Sequence, residues 1–262
     1  PLDETLLAMR MVPDPPLFPV LHEDSDLLVI NKPAGLVCHP SKDGPLSSLI
    51  GRVRLHLGHA EGRLVNRLDR ETSGIVLVAK SAAVAGELGR VVAGAADKSY
   101  WAVVEGHVPD APLVIDAPLG KDLASPVAIK DCVREDGAAA RTRARVVCQF
   151  VRDGAPFSVL DVSPLTGRKH QIRIHLAHAG YPIVGDKLYG ADEHRYLRLV
   201  EGRLSDEDRR ALRLANHALH ARALAFPWRG RAWRFEAGAG DAFLAFIRGG
   251  QDVRVFDRAF MT

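Results

Sequence analysis

The chain has 262 residues, 47% hydrophobic and 26% charged, enough to bury a sizeable core in one domain or two closely joined lobes. Its 35 Lys+Arg against 32 Asp+Glu leave a net charge of only +3, which permits a nucleic-acid partner without demanding one, so local clustering must decide. Cys38, Cys132 and Cys148 form no C-x-x-C pair, which excludes a zinc ribbon and a disulfide framework and suits a reducing cytoplasm; no segment has the apolar length of a membrane span or the apolar core of an export signal.

Four prolines in "MVPDPPLFPV" (11–20) predict an extended arm over 1–20, with the compact fold occupying 21–262. "DLLVINKP" reads as a strand closed by a Pro33-Ala34-Gly35 turn, and a helix is expected from Pro45 to Leu57. Leu64 to Leu68 reads as a short strand and Arg70 to Gly74 as a turn, leading into the apolar strand "GIVLVAK". The Ala/Gly-rich stretch from Ala82 to Ala93 has the apolar spacing of a helix. Strands follow at "KSYWAVVEGHV", "RTRARVVCQFV" and "FSVLDVSPL", the last two joined as an antiparallel hairpin through Arg152-Asp153-Gly154-Ala155-Pro156. A helix is expected from about Gly167, and another from Ser205, where "SDEDRRALRLA" puts a cap and acids at the positive helix end. "HALHARALAFPWRGRAWRF" carries a hairpin turn at Arg229-Gly230, and "DAFLAFIRGG" is a last helix ending at two glycines. Mixed order without βαβ alternation predicts an α+β fold with a largely antiparallel sheet.

Three segments could carry chemistry. In "LVNRLDRETSGIVLVAK" (64–80), Asp69 lies where strand becomes loop; by local chemistry it reads first as the cap of its turn, accepting from the Glu71 or Thr72 amide. In "TGRKHQIRIHLAHAGYPIVGDKLYG" (166–190), a helix starting near Gly167 would place Arg168 and Lys169 in its first turn, against the macrodipole. An anion such as phosphate would relieve that conflict, and a solvated basic turn is an equal alternative. Ile172, Leu176 and Ala179 mark the apolar face of that helix, with Arg173 at its border; there it reads first as a surface or packing arginine, and if buried it needs a carboxylate partner, for which Asp69 is one candidate. His170, His175 and His178 lack the carboxylate or H-E-x-x-H context of a metal site, so no metal is predicted. In "DKSYWAVVEGH", Tyr100 and Trp101 point to opposite strand faces, so one should be buried and the other free to line a groove. The aromatic and basic residues of 217–235 suit either a nucleic-acid backbone or a curved surface hairpin.

Together these segments resemble the RluA-type family of pseudouridine synthases in motif, order and spacing from about Leu21 to Phe226. "RLDRETSG" is similar to the family's active-site motif, "KSYWAVVEG" to its tyrosine strand, "TGRKHQIRIHLAHAGYPIVGDKLYG" to its basic helix and "HALHARALAF" to its late strand. Two letters depart from the pattern: Asn66 stands where His is usual, and Lys169 where a small hydroxyl residue is common. The resemblance implies a pseudouridine synthase fold, a central mixed, largely antiparallel sheet with flanking helices in two lobes around a cleft. It further implies isomerisation, without a cofactor, of a uridine in ribosomal or transfer RNA. Asp69 would be the catalytic aspartate, as nucleophile or as base; Arg173 would hold it ionised, and Tyr100 would stack on the target ring. Arg67 would fill the place of the flipped base, and Arg168, Lys169 and Gln171 would contact RNA. A structured-RNA partner and a monomer are expected. Two other readings compete: an RNA-binding protein or chaperone, which would not need the carboxylate, and a glycosidase, which would need a second acid beside Asp69.

Overall fold

Apolar patterning sets the sheet. The structure, a computed structural model, describes residues 17–40 and 44–257. Its first strands are β1 (Val20–Glu23), β2 (Leu27–Lys32), β3 (Arg63–Leu64), β4 (Ser73–Ala79) and β5 (Asp97–Glu105). Then come β6 (Leu113–Asp116), β7 (Leu119–Lys121), β8 (Asp131–Val133), β9 (Arg141–Arg152) and β10 (Ala155–Pro164), followed by β11 (Leu219–Trp228), β12 (Arg231–Glu236) and β13 (Gln251–Val255). The helices are α1 (Leu49–Leu57), α2 (Ala82–Gly94), α3 (Gln171–His178), α4 (His194–Val200), α5 (Asp206–Leu212) and α6 (Asp241–Arg248). Among the described residues none is long and apolar enough to cross a membrane.

The main sheet runs β1-β2-β4-β11-β5-β10-β9-β13, with β3 on β4, β12 on β11 and β6 on β9. β2 and β4 are continuous apolar runs because both of their faces are covered: Leu28, Ile30, Val76 and Val78 pack towards α1, and Leu27, Val29, Ile75 and Leu77 towards α2. A further core joins β5, β9 and β10 to Ile172 and Leu176 of α3 and to Phe243, Phe246 and Ile247 of α6. Both expected hairpins form on two-residue turns. Asp153-Gly154 and Arg229-Gly230 all have positive φ, as the twist of a tight hairpin requires. α5 opens on a capping box between Ser205 and Asp208.

One seam positions the site. Every pairing in the main sheet is antiparallel except β4 with β11, where only Ser73 and Gly74 meet His220 and Ala221. Gly74 has φ 113°, and a Cβ there would overlap the Ala221 backbone, so only glycine lets the strands approach. The Asp69 turn, immediately before this seam, is thereby pinned beside β11 and β5.

The sequence expectations differ from the structure at several points. Phe18, inside the expected arm, is buried in the core, and β1 starts at Val20; residues 1–16 of that arm lie outside the described residues. β5 stops at Glu105 because Gly106 turns the chain with φ 91°. Pro45–Ser47 form a 3-10 turn, and α1 proper starts at Leu49 on the Ser48 cap. α3 starts at Gln171, not near Gly167, and it is no one-faced surface helix: Gln171 to Leu176 are all buried.

Candidate active site

The Asp69 turn is built without using the Asp69 side chain. Asn66 stitches the incoming chain to β4, its Oδ1 accepting from Leu77 N at 2.7 Å and its Nδ2 donating to Ile75 O at 3.1 Å. The turn closes through the Asp69 backbone carbonyl, which accepts from Thr72 N at 3.2 Å. Capping by the carboxylate, the first reading of the local sequence, is thus replaced by a main-chain bond that leaves the side chain free. Beneath the turn, Lys32 is fully buried and donates from Nζ to the carbonyls of Pro33, Leu36 and Arg70 at 2.8–3.1 Å; burial draws its ammonium down to about 8. On the far side, Glu71 accepts from Lys187 Nζ at 2.8 Å and His217 N at 3.0 Å, and the Thr72 hydroxyl lies 2.7 Å from His217 Nε2.

The freed carboxylate meets α3. Arg173 Nη1 donates to Asp69 Oδ2 at 2.7 Å, so residues 104 positions apart in the chain form the ion pair that the resemblance implied. The other edge of the guanidinium is locked on Asp186: Nε to Oδ2 at 2.7 Å and Nη2 to Oδ1 at 2.9 Å. Asp186 Oδ1 also accepts from Leu188 N at 2.9 Å and Tyr189 N at 3.0 Å, and the Tyr189 ring lies 4.9 Å from the guanidinium carbon. The Asp186 side chain has 0% exposure and that of Arg173 8%. Burial alone would raise the Asp186 carboxyl, but Arg173 and the amides hold it well below the usual carboxylate range.

Asp69 itself stays ionised. Burial is the largest single influence and pushes its carboxyl up, but the Arg173 charge and hydrogen bond together with the fields of His170 and His217 outweigh it and bring the carboxyl below the ordinary value. His170 and His217 lie in the same field, His170 Nε2 at 3.7 Å from Asp69 Oδ1, but burial takes His170 down to about 4 and His217 to about 3. Both imidazoles are neutral near pH 7, which leaves Arg173 as the charge that holds Asp69. His170 is further fixed through its Nδ1 by the Tyr189 hydroxyl at 2.9 Å.

The two depressed histidines make stability depend on pH. In the unfolded chain each titrates near ~6.5, so between that pH and the folded values the unfolded state binds protons that the folded state refuses. Their contribution is complete above ~6.5 and is lost as pH falls towards about 4 for His170 and about 3 for His217. His175 and His220, also depressed by burial, act in the same direction. Urea unfolding should therefore show stability falling by about 2–4 kcal/mol between pH 6.5 and 5. His217→Gln should remove part of that slope, and a flat profile would contradict neutral burial.

All seven residues expected in the site line one cleft of ≈ 1480 Å³. Tyr100, paired with Ala221 of β11 and Val162 of β10, is half-buried there; burial and the Asp69 charge push its phenol up to about 12, so the ring presents a neutral hydroxyl. Trp101 is also half-buried, under the Arg222 guanidinium at 5.1 Å, so neither aromatic is the fully buried one expected. Arg67 is exposed, with Nη1 2.8 Å from His39 Nε2. Arg168 and Lys169 precede the helix instead of forming its first turn, because His170 enters the left-handed region at φ 54° and α3 begins after it. Lys169 already has an anion, Asp131 at 2.9 Å, and Arg168 Nε donates to Ala139 O at 3.1 Å. Gln171 is corrected most. It is 4% exposed, its Oε1 accepts from Thr166 Oγ1 and Arg168 N, and its Nε2 donates to Arg141 O and Thr142 Oγ1. Its amide is spent on holding the loop and offers nothing to a ligand.

Sequence reasoning missed Asp186, His170, Tyr189 and Lys32 as parts of the site. The signal for Asp186 was available in "VGDKLYG", where an acid sits within an apolar run. Among the described residues no three His, Cys, Asp or Glu side chains converge as a metal set. His175 spends both ring nitrogens on Thr142 Oγ1 and Ala117 O.

Comparison with known proteins places the fold and the family. The human protein RNA Pseudouridylate Synthase Domain Containing 1 has the same fold, with a TM-score of 0.68 over 91% of this chain and 89% of its own, at 24% identity. The family model described as RNA pseudouridylate synthase matches residues 26–178. The chain belongs to that family, and within it to the RluA type. It is 36% identical over 183 residues to the dual-specificity RNA pseudouridine synthase RluA of Salmonella typhimurium, covering 69% of this chain and 81% of RluA. It is 33% identical over 188 residues to the uncharacterized RNA pseudouridine synthase YhcT of Bacillus subtilis, covering 70% of this chain and 61% of YhcT.

Proposed function

We propose that this chain converts uridine to pseudouridine in structured ribosomal or transfer RNA, with Asp69 as the reacting carboxylate. One observation carries the reading: the Asp69 carboxylate, released from its own turn, is held ionised by an arginine whose other edge is locked on a buried aspartate, in a cleft wide enough for a nucleotide. The chemistry detaches uracil from C1′, turns it and rejoins it through C5. It involves neither net redox change nor net hydrolysis, so one carboxylate suffices.

A uridine in folded RNA reaches such a carboxylate only when flipped out, at a cost of a few kcal/mol. Arg67, exposed at the cleft and hydrogen-bonded to His39, is suited to occupy the vacated stack. Tyr100, neutral and half-buried, supplies a ring face for the extruded base. Arg168 has Nε committed to Ala139 O, and among the described residues its terminal nitrogens meet no carboxylate, which suits a phosphate. Lys169 must share itself with Asp131, so its contribution is the smaller of the two.

Incubating the protein with unmodified total RNA and mapping pseudouridine at single-nucleotide resolution tests this. New pseudouridine at one or a few uridines is the expected result. Tight RNA binding with no new pseudouridine would overturn it in favour of an RNA-binding protein.

A further inference from the structure

The cleft extends beyond Asp69 along β5, and its cations there are not alike. Of the cations lining it, Arg145, Lys169, Arg173, Arg222 and Arg234 each have a carboxylate oxygen within 4 Å, and Arg67, Arg70 and Arg168 each make a side-chain hydrogen bond to His39, Gly35 O and Ala139 O in turn. Lys98 lines it too, half-buried, its ammonium with no ion pair or hydrogen bond among the described residues and no charged group shifting it. Burial alone acts on this ammonium, and it draws the proton affinity down. An uncompensated, partly desolvated cation is a standing cost that an anion entering the cleft would relieve.

Backbone geometry aims that cation. Lys98 and Tyr100 are two residues apart on β5, hence on the same strand face and roughly 7 Å apart along the strand. Pairing of β5 with β10 ends at Tyr100 and Val162, and Lys98 is paired only on its other side, with Leu224 of β11. From Ser99 back to Asp97 the edge of β5 therefore faces the cleft with no strand on it, and Ser163 and Pro164 line the cleft there as well. Asp97 also lines the cleft, but it alternates to the other face of the strand from Lys98, pairs with Ala225 and makes no ion pair with Lys98.

We infer that Lys98 holds an RNA phosphate flanking the target nucleotide, giving the substrate strand a second fixed point beside Tyr100. This rests on the cleft being an RNA site. A lysine serves as a point charge there: it fixes the strand's position and reads no base.

The test is binding of an unmodified stem-loop transcript with uridines in its loop, followed by fluorescence anisotropy over a range of salt concentrations. Asp69→Asn protein is used so that no turnover intervenes. Adding Lys98→Gln should weaken binding about tenfold at low salt and reduce the slope of log K against log[salt] by about 1. Adding Lys98→Arg should keep the slope. Replacing loop phosphates one at a time by methylphosphonate should reveal one position whose penalty disappears in the Lys98→Gln protein. An unchanged slope, an Arg variant that behaves like Gln, or a methylphosphonate pattern equal in both proteins each overturns the inference. If Lys98→Gln lowers the thermal midpoint, Lys98→Met, which retains the apolar stem, gives the same reading. The two levels fail separately. Absence of pseudouridine with unsubstituted protein rejects the proposed chemistry, whereas an unchanged salt slope in a protein that makes pseudouridine rejects only the phosphate contact.

Discussion

Asp69→Asn is expected to abolish pseudouridine formation, by about 10⁴-fold or more, while RNA affinity stays within about twofold. The substitution keeps shape and removes charge. Arg173 retains its bidentate partner Asp186, so no buried cation is orphaned and the fold should not suffer. Pseudouridine mapping, anisotropy binding and thermal melts on the same preparation separate the three quantities. Modification at the unsubstituted rate would remove Asp69 from the chemistry. Loss of binding along with activity would make it a docking residue instead.

Arg173→Ala should be damaging in a different way. It leaves the Asp186 carboxylate, with no exposure, holding two amide donors among the described residues, and truncating one member of such a buried pair costs about 3–5 kcal/mol. Asp69 loses the charge that opposes its burial, so its carboxyl should rise and activity should be lost as well. Arg173→Lys restores a charge but cannot hold both carboxylates in one planar fork, so part of the stability should return with activity still down about 100-fold. Denaturant unfolding and initial rates measure these. Stability of Arg173→Ala within about 1 kcal/mol of the parent would show that Asp186 neutralises at little cost, and the clamp would lose its role.

The two variants bear on one arrangement: Asp186 orients Arg173, and Arg173 holds Asp69. Its last link was legible only through the resemblance of the motifs to the family, since the local residues left Arg173 as a surface or packing arginine. Its first link was not, since Asp186 and Arg173 are 13 residues apart and meet only because the chain doubles back after α3. Gln171 erred the opposite way. It stood in a basic, RNA-like run, and nothing local reveals that Thr166, Arg141 and Thr142 use its whole amide. Asn66 gains a plain explanation only from its partners: its side chain does the work of a strand residue, joining the approach to Asp69 onto β4.

By itself the sequence determined the long central strands and most helices, both hairpin turns, the antiparallel character of the sheet and the family, because periodicity, turn chemistry and motif spacing are local properties of a chain; the short strands β1, β6, β7, β8 and β13 and the helix α4 carry too little local pattern. Tertiary structure alone decided what each polar side chain had left to offer. In "LVNRLDRETSG" local chemistry favoured Asp69 as a turn cap, and the fold spends a backbone carbonyl on that task instead. Whether a carboxylate is used up or available depends on which donors arrive from elsewhere. The donor here, Arg173, arrives from 104 residues away, and the carboxylate that orients it, Asp186, meets it only because the chain doubles back 13 residues further on, so no local window on the sequence contains the arrangement.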